Sequence, residues 1–294
     1  MILEHIYNNF HNNLYSIKEL NIIINDVNWS YLDNNKKNCP IIVILHGLQS
    51  NKNFFWYPLI KHLSKHYRII FPDLLGHGKT KFLYINEIDF EYTIDNQIRY
   101  LHNFLQSVIP NSKFHFIGTS MGSFISCFYT INYPNYILSL SLINIPFYTK
   151  DNIIINIYKK NKYNILIPEN YKDLCILLSL TFYKKPFIID NYIVNNFYFP
   201  YKQLKTSVYN KIFNQTILSN IFLLENKLNL IKLPILVIWG KNDMITKISS
   251  INLLKTNLIN LSYINLIDKC GHVPHFEHPN LCFQFLFNHI SNHK

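Results

Sequence analysis

The sequence contains no alanine and only two arginines, Arg68 and Arg99, among its 294 residues. It has only 7 glycines, and charged residues make up 15% against 49% for hydrophobic residues. A disordered chain would have too little apolar surface to offset the entropy of ordering, and a collagen-like chain would need glycine at every third position. The abundant residues are those that AT-rich codons encode: asparagine, isoleucine, lysine, tyrosine and phenylalanine. We therefore expect a globular protein in which each retained glycine is informative.

The sequence also has no long apolar run, no leader pattern and no paired cysteines. No window reaches the ~18 consecutive apolar residues that a membrane span needs, and the first ten residues lack a basic stretch followed by an apolar core. The five cysteines show no Cys-x-x-Cys spacing, which argues against a disulfide framework and a structural zinc site. We expect a cytoplasmic protein with no membrane span and with reduced thiols.

The formal net charge of +11 raises the question of an acidic partner. A basic balance can indicate nucleic acid, an anionic membrane or an acidic protein. The lysines are scattered, with nothing denser than Lys159, Lys160 and Lys162, and no helix-turn-helix, RNA-recognition or zinc-finger pattern is present. We expect no nucleic-acid partner, and we take a monomer as the default.

Short β-branched runs bounded by Pro, Gly or Asp are typical of buried parallel strands. They are Ile41–Leu45, Arg68–Phe71, Lys113–Ile117, Ser139–Ile143, Ile235–Trp239 and Ser262–Ile267. Segments suited to helices lie between them, at Phe54–Lys65, Asp89–Val108 and Gly122–Asn132. This alternation predicts an α/β fold with a mostly parallel central sheet flanked by helices. The earlier run Asn21–Tyr31 predicts an antiparallel hairpin at the edge of that sheet.

One stretch breaks the alternation. Residues 145–232 contain helical patches and aromatic clusters but no clean strand followed by a glycine turn. A connection of this length is too long for a simple loop. We therefore expect a helical cap, or lid, inserted into a core formed by residues 1–144 and 233–294.

The strongest chemical signal is Gly118-Thr119-Ser120-Met121-Gly122, which follows a predicted strand and precedes a predicted helix. A serine on such a sharp turn has a strained backbone, and its hydroxyl projects above the sheet. The flanking positions must be glycine so that no side chain meets the turn. This pattern predicts that Ser120 is a nucleophile.

Three further motifs follow other predicted strands. His46-Gly47-Leu48 is placed so that the Leu48 N–H can form an oxyanion hole with the Met121 N–H. Asp243 follows one strand, and His272 in Cys270-Gly271-His272-Val273-Pro274 follows the next. In this interpretation His272 takes the proton of Ser120, and Asp243 orients the imidazole and stabilises its charged form. Asn144 occupies an alternative position for the acid but cannot supply the charge.

With these motifs in this order, the sequence resembles the α/β-hydrolase superfamily over roughly residues 20 to 290. The resemblance includes Phe71–Thr80, which is similar to a loop of that superfamily. Within it, the chain is most similar to bacterial serine esterases and lipases related to monoacylglycerol lipases, on His46–Leu48, Pro168–Tyr171 and Gly271–Glu277. It is also similar to the pimeloyl-carrier-protein methyl ester esterases of biotin synthesis.

The resemblance implies a serine hydrolase that cleaves a carboxylic ester through an acyl-enzyme, without a metal or an organic cofactor. The substrate is expected to be a small acyl ester, with Leu48, Met121 and Phe147 lining its site. Other aromatic residues of the predicted cap (Tyr148, Phe182, Phe197 and Phe199) are expected to be core, with some of them facing an acyl pocket.

The sequence is compatible with other substrates and reactions. The ester could be a methyl ester on an acyl carrier protein, because a lysine-rich cap could attract an acidic carrier. Carbon–carbon bond hydrolysis, acyl transfer to another acceptor, and ligand binding without turnover use the same fold. Epoxide and haloalkane hydrolysis need a carboxylate nucleophile, so Ser120 excludes them. The spacing of His272, His275 and His278 is also compatible with a metal site. His272, however, is already assigned as the base that takes the proton of Ser120.

Overall fold

The computed structural model describes residues 17–52, 55–147, 149, 152–161, 164–184 and 205–293. Phe54, where one predicted helix begins, lies outside these residues. So do the first ten residues and three of the predicted cap aromatics, Tyr148, Phe197 and Phe199.

The core is a nine-stranded sheet with strand order β1-β2-β4-β3-β6-β7-β8-β9, in which the short β5 pairs with β2. The strands are β1 (Lys18–Ile24), β2 (Val27–Asp33), β3 (Ile41–Leu45), β4 (Arg68–Pro72), β5 (Lys81–Phe82), β6 (Phe114–Thr119), β7 (Ile137–Ile143), β8 (Ile235–Gly240) and β9 (Leu261–Ile267). Pairing is parallel from β4 through β9 and antiparallel where β2 meets its three neighbours. The predicted mostly parallel sheet is confirmed.

An antiparallel hairpin forms one edge of the sheet, as the sequence predicts. Strand β1 pairs with β2 along its whole length, from Lys18 opposite Asp33 to Ile24 opposite Val27. The two turn residues, Asn25 and Asp26, have φ values of 47° and 63°. Asn and Asp tolerate this left-handed conformation better than other non-glycine residues, and it matches the twist of a two-residue hairpin.

Helices cover the sheet and also lie in the described parts of the segment between β7 and β8. They are α1 (Tyr57–Leu63), α2 (Ile94–Val108), α3 (Met121–Asn132), α4 (Ile153–Asn161), α5 (Tyr171–Thr181), α6 (Thr206–Ile212), α7 (Ile221–Lys227), α8 (Ser250–Asn257), α9 (Pro274–Glu277) and α10 (Pro279–Ser291). Short 3₁₀ turns lie at Pro134–Tyr136 and Leu228–Leu230, and a π-helical turn at Phe213–Leu218. None of the helices in the described ranges has the length and apolar character needed to cross a bilayer.

Both faces of the sheet are buried, which explains the continuous apolar runs of its central strands. In β3, Val43 and Leu45 belong to the core that includes α2 and α3. Ile42 and Ile44 point to the other face, into the core that includes α1 and α10. Because successive side chains of a strand alternate between faces, each central strand contributes to both cores.

Two helix boundaries differ from the sequence prediction, one of them for a local reason. Helix α2 begins at Ile94 rather than Asp89, because the Thr93 side chain caps it by accepting a hydrogen bond from the Asn96 N–H. Helix α1 is shorter than predicted and covers only Tyr57–Leu63.

Between β7 and β8 the described residues form helices and turns with no strand. We refer to residues 145–232 as the inserted segment. Its helix α6 packs on the loop after β4, since a Cβ added to Gly76 would lie 2.8 Å from Ile212 Cδ1 and 2.9 Å from Val208 Cγ1.

Candidate functional site

Ser120 lies at the carboxyl end of β6, in the turn that leads into α3. Its backbone has φ 51° and ψ −120°, a positive φ that costs an L-residue roughly 1–3 kcal/mol. The Ser120 N–H donates a hydrogen bond to the Ile143 carbonyl at 2.9 Å, which ties the turn to the end of β7. The strained turn predicted from the sequence is therefore present at Ser120.

The two glycines around Ser120 let this turn pack directly on neighbouring backbone. A Cβ added to Gly122 would lie 2.3 Å from the Leu45 carbonyl oxygen, and one added to Gly118 would lie 2.5 Å from the Ser123 nitrogen. Both distances are far below a van der Waals contact, and the neighbours are backbone atoms. Each position therefore requires glycine for close approach rather than for a special φ.

Ser123 reinforces the turn through contacts that no pattern in the sequence indicates. Its buried hydroxyl donates a hydrogen bond to the Gly118 carbonyl at 2.6 Å and accepts one from the Ile143 N–H at 3.1 Å. The side chain therefore joins the strand before the turn to the neighbouring strand. A glycine at this position could not make either contact.

Asp243 and His272, two of the predicted catalytic residues, are in direct contact. Nδ1 of His272 lies 2.7 Å from Oδ2 of Asp243. Both residues lie beyond the carboxyl ends of adjacent strands, β8 and β9, and only 3% of Asp243 and 7% of His272 is exposed. A buried carboxylate at this distance holds the proton on Nδ1 and leaves Nε2 free to accept one.

The Asp243 carboxylate is held by donors on both of its oxygens. The backbone N–H groups of Ile245 and Thr246 donate to Oδ1 at 2.7 and 2.9 Å. The Thr246 hydroxyl donates to Oδ2 at 2.5 Å. With these bonds the carboxylate has one orientation, in which Oδ2 faces the imidazole.

Asn144 also contacts the acid. From the sequence, Asn144 is only a residue that cannot replace Asp243 as the acid. In the structure it follows β7, has φ 48°, is fully buried, and donates a hydrogen bond from Nδ2 to Oδ2 of Asp243. Its Nδ2 also lies 3.3 Å from the Gly271 carbonyl, next to His272. No local pattern in the sequence indicates this contact.

The described residues include both Ser120 and His272, and no hydrogen bond joins them. The two lie at the same edge of the sheet, because Ser120 follows β6, and Asp243 and His272 follow strands further along the same parallel array. Hydrogen bonds between a nucleophile and its base commonly tighten only when substrate binds.

The two predicted oxyanion-hole residues approach Ser120 from separate elements. Leu48 follows β3, where a Cβ added to the preceding Gly47 would lie 3.8 Å from Ser120 Oγ. Met121 is the first residue of α3, so its N–H has no acceptor within the helix. The two N–H groups are therefore on the elements that flank the Ser120 hydroxyl.

Two buried histidines hold the backbone on either side of Leu48. Nε2 of His46 accepts a hydrogen bond from the Leu74 N–H at 3.0 Å, so Nδ1 carries the proton and donates to the Gly47 carbonyl at 2.8 Å. That carbonyl and the Leu48 N–H belong to one planar peptide unit, so fixing the first orients the second. Nε2 of His77 accepts from the Gln49 N–H at 3.3 Å.

Each of these histidines accepts a backbone N–H at Nε2, which requires an unprotonated nitrogen there. Burial lowers the pKa of His46, and it lowers the pKa of His77 well below its usual value, with further lowering from His46. The backbone hydrogen bonds of these two side chains give them a structural role in the loops around Leu48.

The residues predicted to bind substrate lie in or against one apolar cluster. Met121 and Phe147 are fully buried in it, and the partly buried Leu48 packs against it. The cluster also contains Val208 and Ile212 from helix α6 of the inserted segment. The buried core on this side of the sheet therefore runs from the Ser120 turn into the inserted segment.

The three histidines with metal-like spacing point to different partners. His272 faces Asp243, the His275 ring stacks on Trp56 with centroids 4.3 Å apart, and Nε2 of His278 lies 3.1 Å from the Lys269 carbonyl. Within the described ranges, no group of three or more His, Cys, Asp or Glu side chains is placed to hold a metal ion.

Comparison with known proteins gives a consistent family match. A family model described as the alpha/beta hydrolase fold matches residues 40–279. The chain is 27% identical over 263 residues to monoacylglycerol lipase ABHD6 of Bos taurus, covering 86% of this chain and 76% of the relative. It is also 27% identical over 252 residues to Lipase 1 of Psychrobacter immobilis, covering 84% of this chain and 75% of the relative.

Solved structures share the architecture. The crystal structure of a membrane phospholipase A, described as a bacterial virulence factor, superposes with a TM-score of 0.86 and 23% identity. The match covers 99% of this chain and 91% of that one. At this identity, the similarity shows a common fold.

Proposed function

The chain belongs to the α/β-hydrolase fold family, and on that premise we propose that it is a serine hydrolase that cleaves the carboxylic ester of an acyl chain. The observation that carries the proposal is the buried contact between Asp243 and His272 at 2.7 Å. It lies at the same sheet edge as Ser120, whose backbone has the strained turn conformation. Similarity to lipases supports the same reaction class.

In the first half of the proposed reaction, the Ser120 hydroxyl attacks the ester carbonyl carbon and transfers its proton to Nε2 of His272. The Asp243 carboxylate stabilises the imidazolium that results. Negative charge develops on the carbonyl oxygen, where the N–H groups of Leu48 and Met121 would donate hydrogen bonds to it. The C–O bond to the alcohol then breaks, and the leaving alkoxide takes the proton from His272.

In the second half, a water molecule attacks the acyl-Ser120 ester. His272 takes a proton from the water and returns it to the Ser120 oxygen as the acyl bond breaks. The products are a carboxylic acid and the free enzyme. The same two N–H groups serve both tetrahedral intermediates, and the chemistry requires no metal ion and no organic cofactor.

We propose further that the inserted segment is the cap over this site. It reaches both catalytic loops, since Gln49 Nε2 donates to the Leu166 carbonyl at 2.5 Å and the His272 N–H donates to the Thr181 carbonyl at 2.7 Å. Its α6 side chains share the apolar cluster that contains Met121 and Phe147. An apolar cap favours a hydrocarbon acyl chain over a sugar or a charged peptide, and Leu48, Met121 and Phe147 are the proposed contacts.

The test is hydrolysis of p-nitrophenyl esters from acetyl to dodecanoyl by the purified protein, with Ser120→Ala as the control. Loss of a triad member lowers kcat by about 10⁴- to 10⁶-fold in comparable enzymes. A fluorophosphonate probe followed by peptide mass spectrometry should label Ser120 and leave Ser123 unlabelled. Ser123 is the matched internal control, because its hydroxyl is committed to the Gly118 carbonyl.

A rate in Ser120→Ala above a hundredth of wild type would overturn the assignment of the nucleophile. Probe labelling of Ser120 without hydrolysis of any ester would keep the nucleophile and move the reaction to carbon–carbon cleavage or acyl transfer. Activity confined to short chains would direct the next assay to a carrier-bound methyl ester.

A further inference from the structure

The backbone of the loop that carries His272 is held by the inserted segment as well as by the core. The His272 N–H donates to the carbonyl of Thr181, the last residue of α5, at 2.7 Å. The adjacent Gly271 lies so close to the same segment that an added Cβ would be 2.4 Å from the Thr181 oxygen and 2.9 Å from the Tyr183 nitrogen. The end of α5 and the His272 loop are therefore packed backbone against backbone.

The Glu277 carboxylate joins the end of α5 to the loop that carries His272. Its Oε1 accepts a hydrogen bond from the Gly271 N–H at 2.7 Å, and its Oε2 accepts one from the Tyr183 N–H at 2.9 Å. One oxygen therefore holds the residue next to His272, and the other holds the chain just beyond α5. Hydrogen bonds from backbone N–H groups to a carboxylate are among the stronger ones in proteins.

Apolar packing brings the same two parts of the chain together. Phe182 follows α5, Phe276 lies in α9, and their ring centroids are 5.9 Å apart. Phe55 packs against both, with centroids at 5.7 and 5.4 Å. The cluster also includes Leu178 of α5 and Val273 of the histidine loop. Since this packing fixes the distance between α5 and α9, the Glu277 carboxylate can span the gap with both oxygens engaged.

Glu277 is partly buried, and burial raises the pKa of its carboxyl, while the N–H groups of Gly271, Tyr183 and Lys184 act in the opposite direction. The groups that face its oxygens are donors: the Gly271 N–H and the Cys270 thiol at Oε1, and the Tyr183 N–H at Oε2. An amide NH₂ could therefore replace neither oxygen without losing a hydrogen bond. The site therefore discriminates a carboxylate from an isosteric amide.

We propose that Glu277 is a positioning residue for the general base. Because it joins the Tyr183 backbone to the Gly271–His272 backbone, the position of His272 depends on how the inserted segment packs on the core. This inference rests on the proposed function of His272. A displacement of about 1 Å at a reacting group can cost 10²-fold in rate. Release of this bridge should therefore lower kcat on every substrate, including those too small to touch the cap.

The test compares Glu277→Gln with Glu87→Gln. Glu87 is the matched control, because its ion pair with Lys205 also fastens the inserted segment to the core but is not part of the His272 loop. For p-nitrophenyl acetate we expect Glu277→Gln to lower kcat about 10- to 100-fold with KM changed less than about threefold. We expect Glu87→Gln to leave kcat within about twofold.

A second variant, changed at the other end of the bridge, keeps the test possible if Glu277→Gln does not fold. Tyr183→Pro removes the N–H that reaches Oε2 and turns the proline ring toward that oxygen, together with loss of the exposed phenol. The preceding Phe182 is already extended at φ −108° and ψ 142°, the conformation that a residue before proline favours. Tyr183→Pro should lower kcat in the same direction as Glu277→Gln. The proton resonance of the His272 Nδ1–H should shift in both variants and stay in place in Glu87→Gln.

An unchanged kcat on the acetyl ester in folded Glu277→Gln, with a raised KM only for long acyl chains, would overturn the inference, because Glu277 would then act on the cap alone. So would an unmoved Nδ1–H resonance. If the wild-type protein hydrolyses no ester, the proposed function fails, and the resonance still tests the positioning role.

Discussion

The side-chain amide of Asn144 donates a hydrogen bond to Oδ2 of Asp243, the same oxygen that lies 2.7 Å from Nδ1 of His272. The amide cannot turn over, because its Oδ1 accepts a hydrogen bond from the Gly240 N–H at 3.2 Å. The NH₂ group is therefore committed to the carboxylate. Oδ2 of Asp243 is surrounded by donors from Asn144, Thr246 and His272, an environment that only an acceptor fits.

Asp243→Asn should lower kcat by about 10⁴-fold. An amide at position 243 would keep its oxygen toward the two backbone N–H groups and turn its NH₂ toward His272, which places the ring proton on Nε2. An imidazole protonated there cannot accept the Ser120 proton. The measurement is kcat/KM on the best p-nitrophenyl ester. Asp268→Asn, at a 76% exposed carboxylate paired with Lys241, should remain fully active. A nearly active Asp243→Asn would place the acid elsewhere.

Asn144→Asp should destabilise the fold, and the loss should grow with pH. It replaces a donor to Asp243 with a second buried carboxylate, costing about 1–3 kcal/mol or more at neutral pH. Repulsion between the two carboxylates raises the pKa of the pair in the folded state. Because a raised folded pKa gives stability that is lost as pH rises, the deficit relative to wild type should be larger at pH 8 than at pH 5. Urea unfolding at both pH values is the measurement, and a variant as stable as wild type at pH 8 would contradict it.

Ser120→Gly should be inactive and more stable than the wild-type protein. Glycine relieves the strain of φ 51° and ψ −120°, roughly 1–3 kcal/mol, and costs about 0.5–1 kcal/mol in chain entropy. The expected net gain in the free energy of unfolding is about 1 kcal/mol. Ser120→Ala keeps the Cβ and the strain, so its stability should stay within about 0.5 kcal/mol of wild type. If the glycine variant unfolds at lower urea than the alanine variant, the turn is not strained.

The protein should lose stability as pH falls from about 6.5 toward 4. Burial lowers the pKa of His115 and His289 to about 4 and that of His275 to about 3. In the unfolded chain a histidine titrates near ~6.5, so within this window the unfolded state binds more protons. Each such histidine then reduces the free energy of unfolding by up to ~1.4 kcal/mol per pH unit, and contributes nothing above about pH 6.5.

Urea midpoints between pH 4.5 and 7.5 test this expectation. His289→Phe should flatten the pH dependence, because it removes one of the buried titrating rings. His66→Gln is the control, since His66 is exposed. Equal midpoints for the wild-type protein at both ends of the range would contradict it.

Local patterns accounted for much of the fold and for the principal candidate residues. The strand over Ile41–Leu45 matches its predicted bounds, because a β-branched run between a proline and a glycine turn is a local signal. The Ser120 turn is local for the same reason, since a strand, two glycines and a helix lie within a few residues of one another. Boundaries were less predictable where a side chain decided them, as Thr93 does for α2.

The contacts that orient the candidate residues are long-range, and no spacing in the chain indicates them. Asn144 and Asp243 are 99 positions apart, and Glu277 and Tyr183 are 94 positions apart. The order of strands in the sheet brings the first pair together, and the packing of α5 on α9 brings the second. Residue type and local periodicity therefore predict which groups can do chemistry here. Which oxygen, amide or carbonyl holds each of them depends on how distant segments pack, since a hydrogen bond forms only between groups that the folded chain brings within about 3 Å.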